Sequence, residues 1–272
     1  MDDDRQSRAD AVDREMAARG LPEEVVAALV HWWSANAGRY PDATPGAHTV
    51  HYTPARWAEI TPWPAALASR SSAGDAEISR ALVASAVADA LGREAYTEAL
   101  VATYVWGKGK SGTPAGSGPT TLKNILAADD LENVLAKAVA ALREDGARRA
   151  YEVLLLPSNG LGPSFFTKFL YFAGQAVPTG RGPQPLVLDQ VLARRMRGLA
   201  AQVGKDTGYD PDGSVAAWVW SDGGWSPHRY EVYLSFLQAA ARQLSKVGGW
   251  PPDAGTDLLE CALFTTRWTT PG

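Results

Sequence analysis

Along most of the 272-residue chain, apolar positions recur every three or four residues, the spacing of helices that each hide one face. Behind Pro22, residues Val25, Val26, Leu29, Val30 and Trp33 form such a stripe over 23–35. Ile78, Leu82, Val83, Val87 and Leu91 mark a second over 76–91, and 93–106 is apolar almost throughout. A short helix follows Thr53-Pro54. Further helices are predicted over 120–126, 131–142, 147–156, 163–174 and 190–203. Pro227 opens a long one through 228–245, and 257–264 is the last; 215–220 fits either a short helix or a strand. No run sustains two-residue alternation with β-branched residues, and the only short strands that fit lie at 49–52 or 217–220. The pattern predicts an all-α, two-lobed helical fold with no substantial sheet and no internal repeat. Residues 1–20 are polar and charged and read as a flexible N-terminal tail, either a frayed helix or a disordered segment, leaving a single two-lobed domain over 21–272.

One stretch, Arg149 to Arg197, carries the candidate chemistry. An apolar helix ends at Leu156-Pro157, a tight loop Ser158-Asn159-Gly160-Leu161-Gly162 follows, and Pro163 opens the next helix at a position where its missing N–H costs nothing. Gly160 and Gly162 permit positive φ and close approach of another backbone. The free N–H groups of the following helix, Ser164 among them, favour an anion such as a DNA phosphate. A plain turn between packed helices explains the same spacing. Lys168 lies between Phe165, Phe166, Phe169 and Leu170. In apolar surroundings a lysine can serve as an amine nucleophile, or bury its stem and leave its head in solvent. Asp189 stands where the N-cap of the next helix belongs; there a carboxylate can simply cap, or also stabilise positive charge and activate water.

Composition narrows the classes. The single cysteine, Cys261, forbids an intrachain disulfide and argues against a cysteine-based metal site. No metal and no other cofactor is expected. No apolar run nears the ~20 residues that span a bilayer, and the charged N-terminus lacks the apolar segment of a signal peptide, so a cytoplasmic protein without membrane contact is predicted. A net charge of -4 excludes a uniformly basic nucleic-acid binder. Residues 131–205, however, hold 10 Lys/Arg against 5 Asp/Glu, so the basic part of this acidic protein is the stretch above. A second candidate contact is the Gly/Ser/Pro loop 107–119, bracketed by Lys108, Lys110 and Lys123. Ten tryptophans suit a site that stacks flat rings; Trp106, Trp218, Trp220 and Trp225 adjoin glycine-rich loops and are the candidate platforms.

Together, LPSNGLG, PSFFTKFLYFAG and VLDQVLARR resemble the helix-hairpin-helix DNA glycosylase superfamily, and within it the bacterial 8-oxoguanine DNA glycosylase-like branch. The resemblance covers about 50 residues closely, with the hairpin inside 147–174. It implies that the hairpin (Gly160, Gly162, Ser164) binds DNA phosphate, that Lys168 attacks C1′ of a flipped-out nucleotide, and that Asp189 assists. Three features depart from the family pattern. Ser164 occupies the place where that family's lysine stands, with Lys168 one helical turn further on. Asn159 replaces a usual proline, and Asp189 comes 27 residues after Gly162, further than usual. The chain has no cysteine cluster for an iron–sulfur group.

The implied function is a DNA glycosylase that acts as a monomer on double-stranded DNA containing a modified base, an oxidised purine first, with abasic-site lyase activity if Lys168 reaches C1′. If it does not, Asp189 activates water. The alternatives are a glycosylase for modified bases of phage DNA in antiviral defence, a non-catalytic hairpin DNA-binding protein, and an all-α protein–protein adaptor.

Overall fold

Eight consecutive residues of one helix, Phe166 to Ala173, are buried, and the elements of the central part of the chain are arranged around it. The computed structural model describes residues 2–72, 74–110, 118–155 and 160–266. The chain folds as two compact units: Pro45–Val187 is one, and Met1–Thr44 with Leu188–Gly272 is the other. Among the described residues there are twelve α-helices and a single two-stranded sheet, so the fold is all-α.

In the unit of Pro45–Val187, strands β1 (Thr49–Tyr52) and β2 (Ala76–Ser79) pair antiparallel, Val50 opposite Ile78. The helices are α3 (Arg80–Gly92), α4 (Tyr96–Lys108), α5 (Gly118–Leu126), α6 (Leu131–Glu144), α7 (Ala147–Leu155) and α8 (Pro163–Ala176). Helix α8 packs against α3, α4, α6 and α7. Every residue of α4 from Ala99 to Trp106 is buried as well. Each fully buried Phe or Leu of α8 contributes roughly 1.5–3 kcal/mol by leaving water, an upper bound because the unfolded chain already hides some of that surface. The 76–91 periodicity predicts helix from its first residue, yet 76–79 are strand. Ser79 accepts a hydrogen bond from the Leu82 N–H at 3.1 Å and so starts α3 at Arg80. Four residues are too short a strand for alternation to register.

The other unit contains α1 (Asp2–Arg19), α2 (Glu23–Asn36), α9 (Gln190–Thr207), α10 (Ser214–Val219), α11 (Pro227–Leu244) and α12 (Thr256–Thr265). Residues 215–220 are therefore helical rather than a strand. Ser226 caps α11 through the Arg229 N–H and Pro227 fills its first position. Of the frayed helix or disordered tail expected over residues 1–20, residues 2–19 form the helix, α1, and it is packed on α9, α10 and α11 instead of frayed. Ala9, Val12 and Met16 are buried, a narrow stripe at helical spacing hidden in sequence by the charges around it. One of those charges is itself structural. Asp13 accepts two hydrogen bonds from Arg229, at 2.7 and 2.8 Å, and both side chains are nearly buried. Burial pushes the Asp13 carboxyl above its ordinary range despite the pull of Arg229. The pair is thus held against a desolvation cost, and removing one member leaves the other stranded.

Asp13→Ala is expected to lower the unfolding free energy by about 3–5 kcal/mol, because it leaves a buried guanidinium without its carboxylate. Asp13→Leu combined with Arg229→Met is expected to recover most of that loss. Urea-denaturation midpoints of the three proteins check both expectations.

Candidate active site

Proline fixes where α8 begins. Pro163 occupies its first turn, Gly162 is the N-cap residue in extended conformation, and the Gly162 carbonyl accepts from the N–H groups of Phe165 (2.9 Å) and Phe166 (3.1 Å). The Ser164 N–H has no intrahelical acceptor at this position. Gly160 has φ +85°, a conformation that side chains with a Cβ rarely adopt. A Cβ on Gly162 would meet nothing within 4 Å, so the backbone here is open to an approaching group. The helices on either side of the turn, α7 and α8, lie where expected. Ser158 and Asn159 of the hairpin itself lie outside the described residues.

Lys168 sits in the buried part of α8, 6% exposed. Its ammonium does not snorkel to solvent. It turns back along its own helix and donates to the Ser164 carbonyl at 2.6 Å, with the Phe165 ring 5.6 Å away. Its stem crosses Gly107 of α4 so closely that a Cβ there would lie 2.4 Å from Lys168 Cδ. Phe165 in turn stacks on Tyr104 at 4.3 Å. Gly160, Gly162, Ser164 and Lys168 are thus gathered at one end of α8. Trp106, in the same unit, is buried between His48, Phe172 and the Arg80 guanidinium.

Asp189 belongs to the other unit. It is the N-cap residue of α9, half-buried, and its Oδ1 accepts from the Val191 N–H at 3.0 Å and the Leu192 N–H at 3.1 Å. Both cap bonds fall on one oxygen. The next residue, Gln190, donates to Asp222 Oδ2 at 2.7 Å. Arg194 and Arg197 each reach the same carboxylate at 2.6 Å. The hydrogen bond from Arg194, with those from Gln190 and Arg197, holds the Asp222 carboxyl well below the usual carboxylate range. Asp222 therefore ties the loop after α10 onto the first turns of α9. The sequence gives no sign of this role, since Ser-Asp-Gly-Gly reads as a generic turn.

That loop lies between two of the candidate ring platforms. Trp220 is fully buried with Arg229 over its ring, and Arg197 donates to the Trp220 carbonyl at 2.9 Å. Trp225 is buried and donates its indole N–H to the Ser221 carbonyl at 2.8 Å. Trp218 differs: it is 39% exposed and lies under the Arg5 guanidinium, 4.6 Å from its centroid. Of the four tryptophans it alone offers a ring face at the surface.

The sequence profile of the family described as "Putative 8-oxoguanine DNA glycosylase OGG-like protein" matches residues 43–264, well over half of the chain. The chain belongs to this OGG-like family. No curated protein and no solved structure matches the chain. Membership carries DNA glycosylase as the activity class and DNA as the substrate. The match takes in Gly160, Gly162, Lys168 and Asp189 and leaves out α1 and α2. Among the described residues no helix is long and apolar enough to cross a membrane.

The cap geometry separates two roles of Asp189. Asp189→Ala is expected to destabilise the protein by about 1 kcal/mol through the lost cap, whereas Asp189→Asn, an equally good cap, is expected to unfold close to wild type. Urea titrations followed by tryptophan fluorescence check this. Equal destabilisation by both substitutions would show that the charge of Asp189, rather than its capping oxygen, holds α9.

Proposed function

We propose that this OGG-like protein excises an oxidised purine from duplex DNA by hydrolysis, with Asp189 as the catalytic carboxylate. The target nucleotide leaves the base stack, since its C1′ is out of reach inside the duplex. Gly160, Gly162 and the Ser164 N–H hold a backbone phosphate at the positive end of α8. Water attacks C1′ and gives up a proton to Asp189. The N-glycosidic bond breaks, and the base departs with the bonding electrons and picks up a proton. The positive charge that develops on the sugar faces the same carboxylate.

The observation that supports this reading most is the disposition of Asp189. Its two cap bonds hold the carboxyl in one orientation at the head of a helix whose first turns Asp222 secures. A carboxylate so fixed is suited to general-base work.

A second reading, a bifunctional glycosylase, is favoured by the burial of Lys168 one turn inside α8. There the amine leaves the Ser164 carbonyl and attacks C1′. The base is expelled, and loss of the amine's proton gives a Schiff base on the opened sugar.

On a duplex bearing one 8-oxoguanine, Asp189→Asn is expected to slow base release by about 10²–10⁴-fold while binding the duplex as wild type does. Lys168→Ala is expected to retain release, with no adduct trapped by borohydride on the wild-type protein. A trapped adduct that Lys168→Ala abolishes would transfer the chemistry to the lysine. Unchanged release by Asp189→Asn would remove Asp189 from the mechanism.

A further inference from the structure

The first turn of α5 borders a small cavity of about 30 Å³. Arg56, Lys108 and Lys110 line it together with Thr53, Gly118 and Pro119, and no carboxylate does. The nearest acidic groups are already engaged. Asp75 accepts from Lys110 at 2.5 Å and from Thr53 at 2.7 Å, and Glu59, in the adjoining hollow, accepts from Lys123 at 2.6 Å. Arg56 is exposed, and no ion pair is formed by it among the described residues.

Lys108 is built into the cavity rather than draped over it. Its stem lies across the first residue of α5, where a Cβ on Gly118 would come within 2.7 Å of Lys108 Cγ and 2.9 Å of Cε. Glycine at 118 is what lets the lysine pass. The cavity has room for about two water molecules, too little for a base and enough for the non-bridging oxygens of one phosphodiester. The positive end of the α5 dipole adds to the field of the two side chains.

Helix α5 also connects this cavity to the hairpin. Ile125, in its last turn, is the nearest neighbour that a Cβ on Gly160 would meet, at 3.7 Å. The seven residue steps from Gly118 to Ile125 span about 10 Å at the helical rise. We infer that Arg56 and Lys108 form a second backbone-phosphate site, which holds the strand close to the phosphate at the hairpin. The inference rests on the glycosylase reading for its ligand. It adds a sequence-independent contact that positions the duplex.

The test is the salt dependence of binding to an undamaged duplex, by fluorescence anisotropy from 50 to 200 mM salt. Arg56→Gln and Lys108→Gln keep the stems and remove the charges. The double variant is expected to bind several-fold more weakly at every salt concentration. Its log K against log[salt] slope should be shallower by about 0.9 if one phosphate contact is lost. Lys137→Gln, which removes one positive charge at an exposed position of α6, is expected to keep the wild-type slope. Base release by the wild-type protein is measured on the same preparations. A wild-type slope in the double variant, or an equal loss in Lys137→Gln, would overturn the site and leave the glycosylase reading standing. No base release by wild type, with the slope change present, would leave the phosphate site and overturn the glycosylase reading instead.

Discussion

A lysine enclosed in an aromatic helix must find a hydrogen-bond acceptor without leaving that helix, and much of the unit of Pro45–Val187 follows from how Lys168 does so. A buried ammonium without an acceptor costs several kcal/mol. The Ser164 carbonyl, one turn back, meets that need at 2.6 Å. The stem then has to cross α4, and Gly107 is the residue that lets it. Phe165, displaced to the flank, stacks on Tyr104 and so fixes α8 against α4 a second time. The open backbone at Gly162 and the Ser164 N–H lie at the same end of the helix. The packing of one side chain and the presentation of a possible phosphate contact are therefore a single arrangement.

The unit that carries Asp189 solves a different problem. In the mechanism proposed for Asp189, a carboxylate must stay where it is while charge develops nearby. Two backbone N–H groups hold Asp189 at the head of α9, and Asp222 gathers Gln190, Arg194 and Arg197 on the following turns. Asp222 is exposed enough that salt screens its pairs. Its contribution is to fix the orientation of α9 and of the loop between Trp220 and Trp225, more than to add stability.

The helices were legible in the sequence wherever a terminus carried its own chemistry. Pro163, Asp189 and the Ser226-Pro227 pair start α8, α9 and α11 where the pattern places them. That helix α1 packs was not legible, because Val12 and Met16 are the only large apolar members of its stripe, and the Asp13–Arg229 pair that helps to bury it joins residues 216 positions apart. The strand at 76–79 was hidden by its length and by the helical spacing that continues from Ile78. At the candidate site, Gly160, Gly162, Lys168 and Asp189 stood out through local context. Asp222, Gly107 and Arg56 did not, because each matters only through partners distant in the chain. The buried state of Trp106, Trp220 and Trp225 likewise depends on tertiary packing that no local window contains.

Family membership carries the activity class, removal of a base from DNA, and the proposed mechanism makes Asp189 the group that activates water. The most direct measurement is mass spectrometry of free base released in a single turnover from a duplex that carries one 8-oxoguanine, with the protein in excess. The account predicts close to one equivalent of free 8-oxoguanine per duplex from the wild-type protein and almost none from Asp189→Asn in the same interval. Release that is undiminished in Asp189→Asn, or no free base from the wild-type protein on duplexes with oxidised purines, would contradict it.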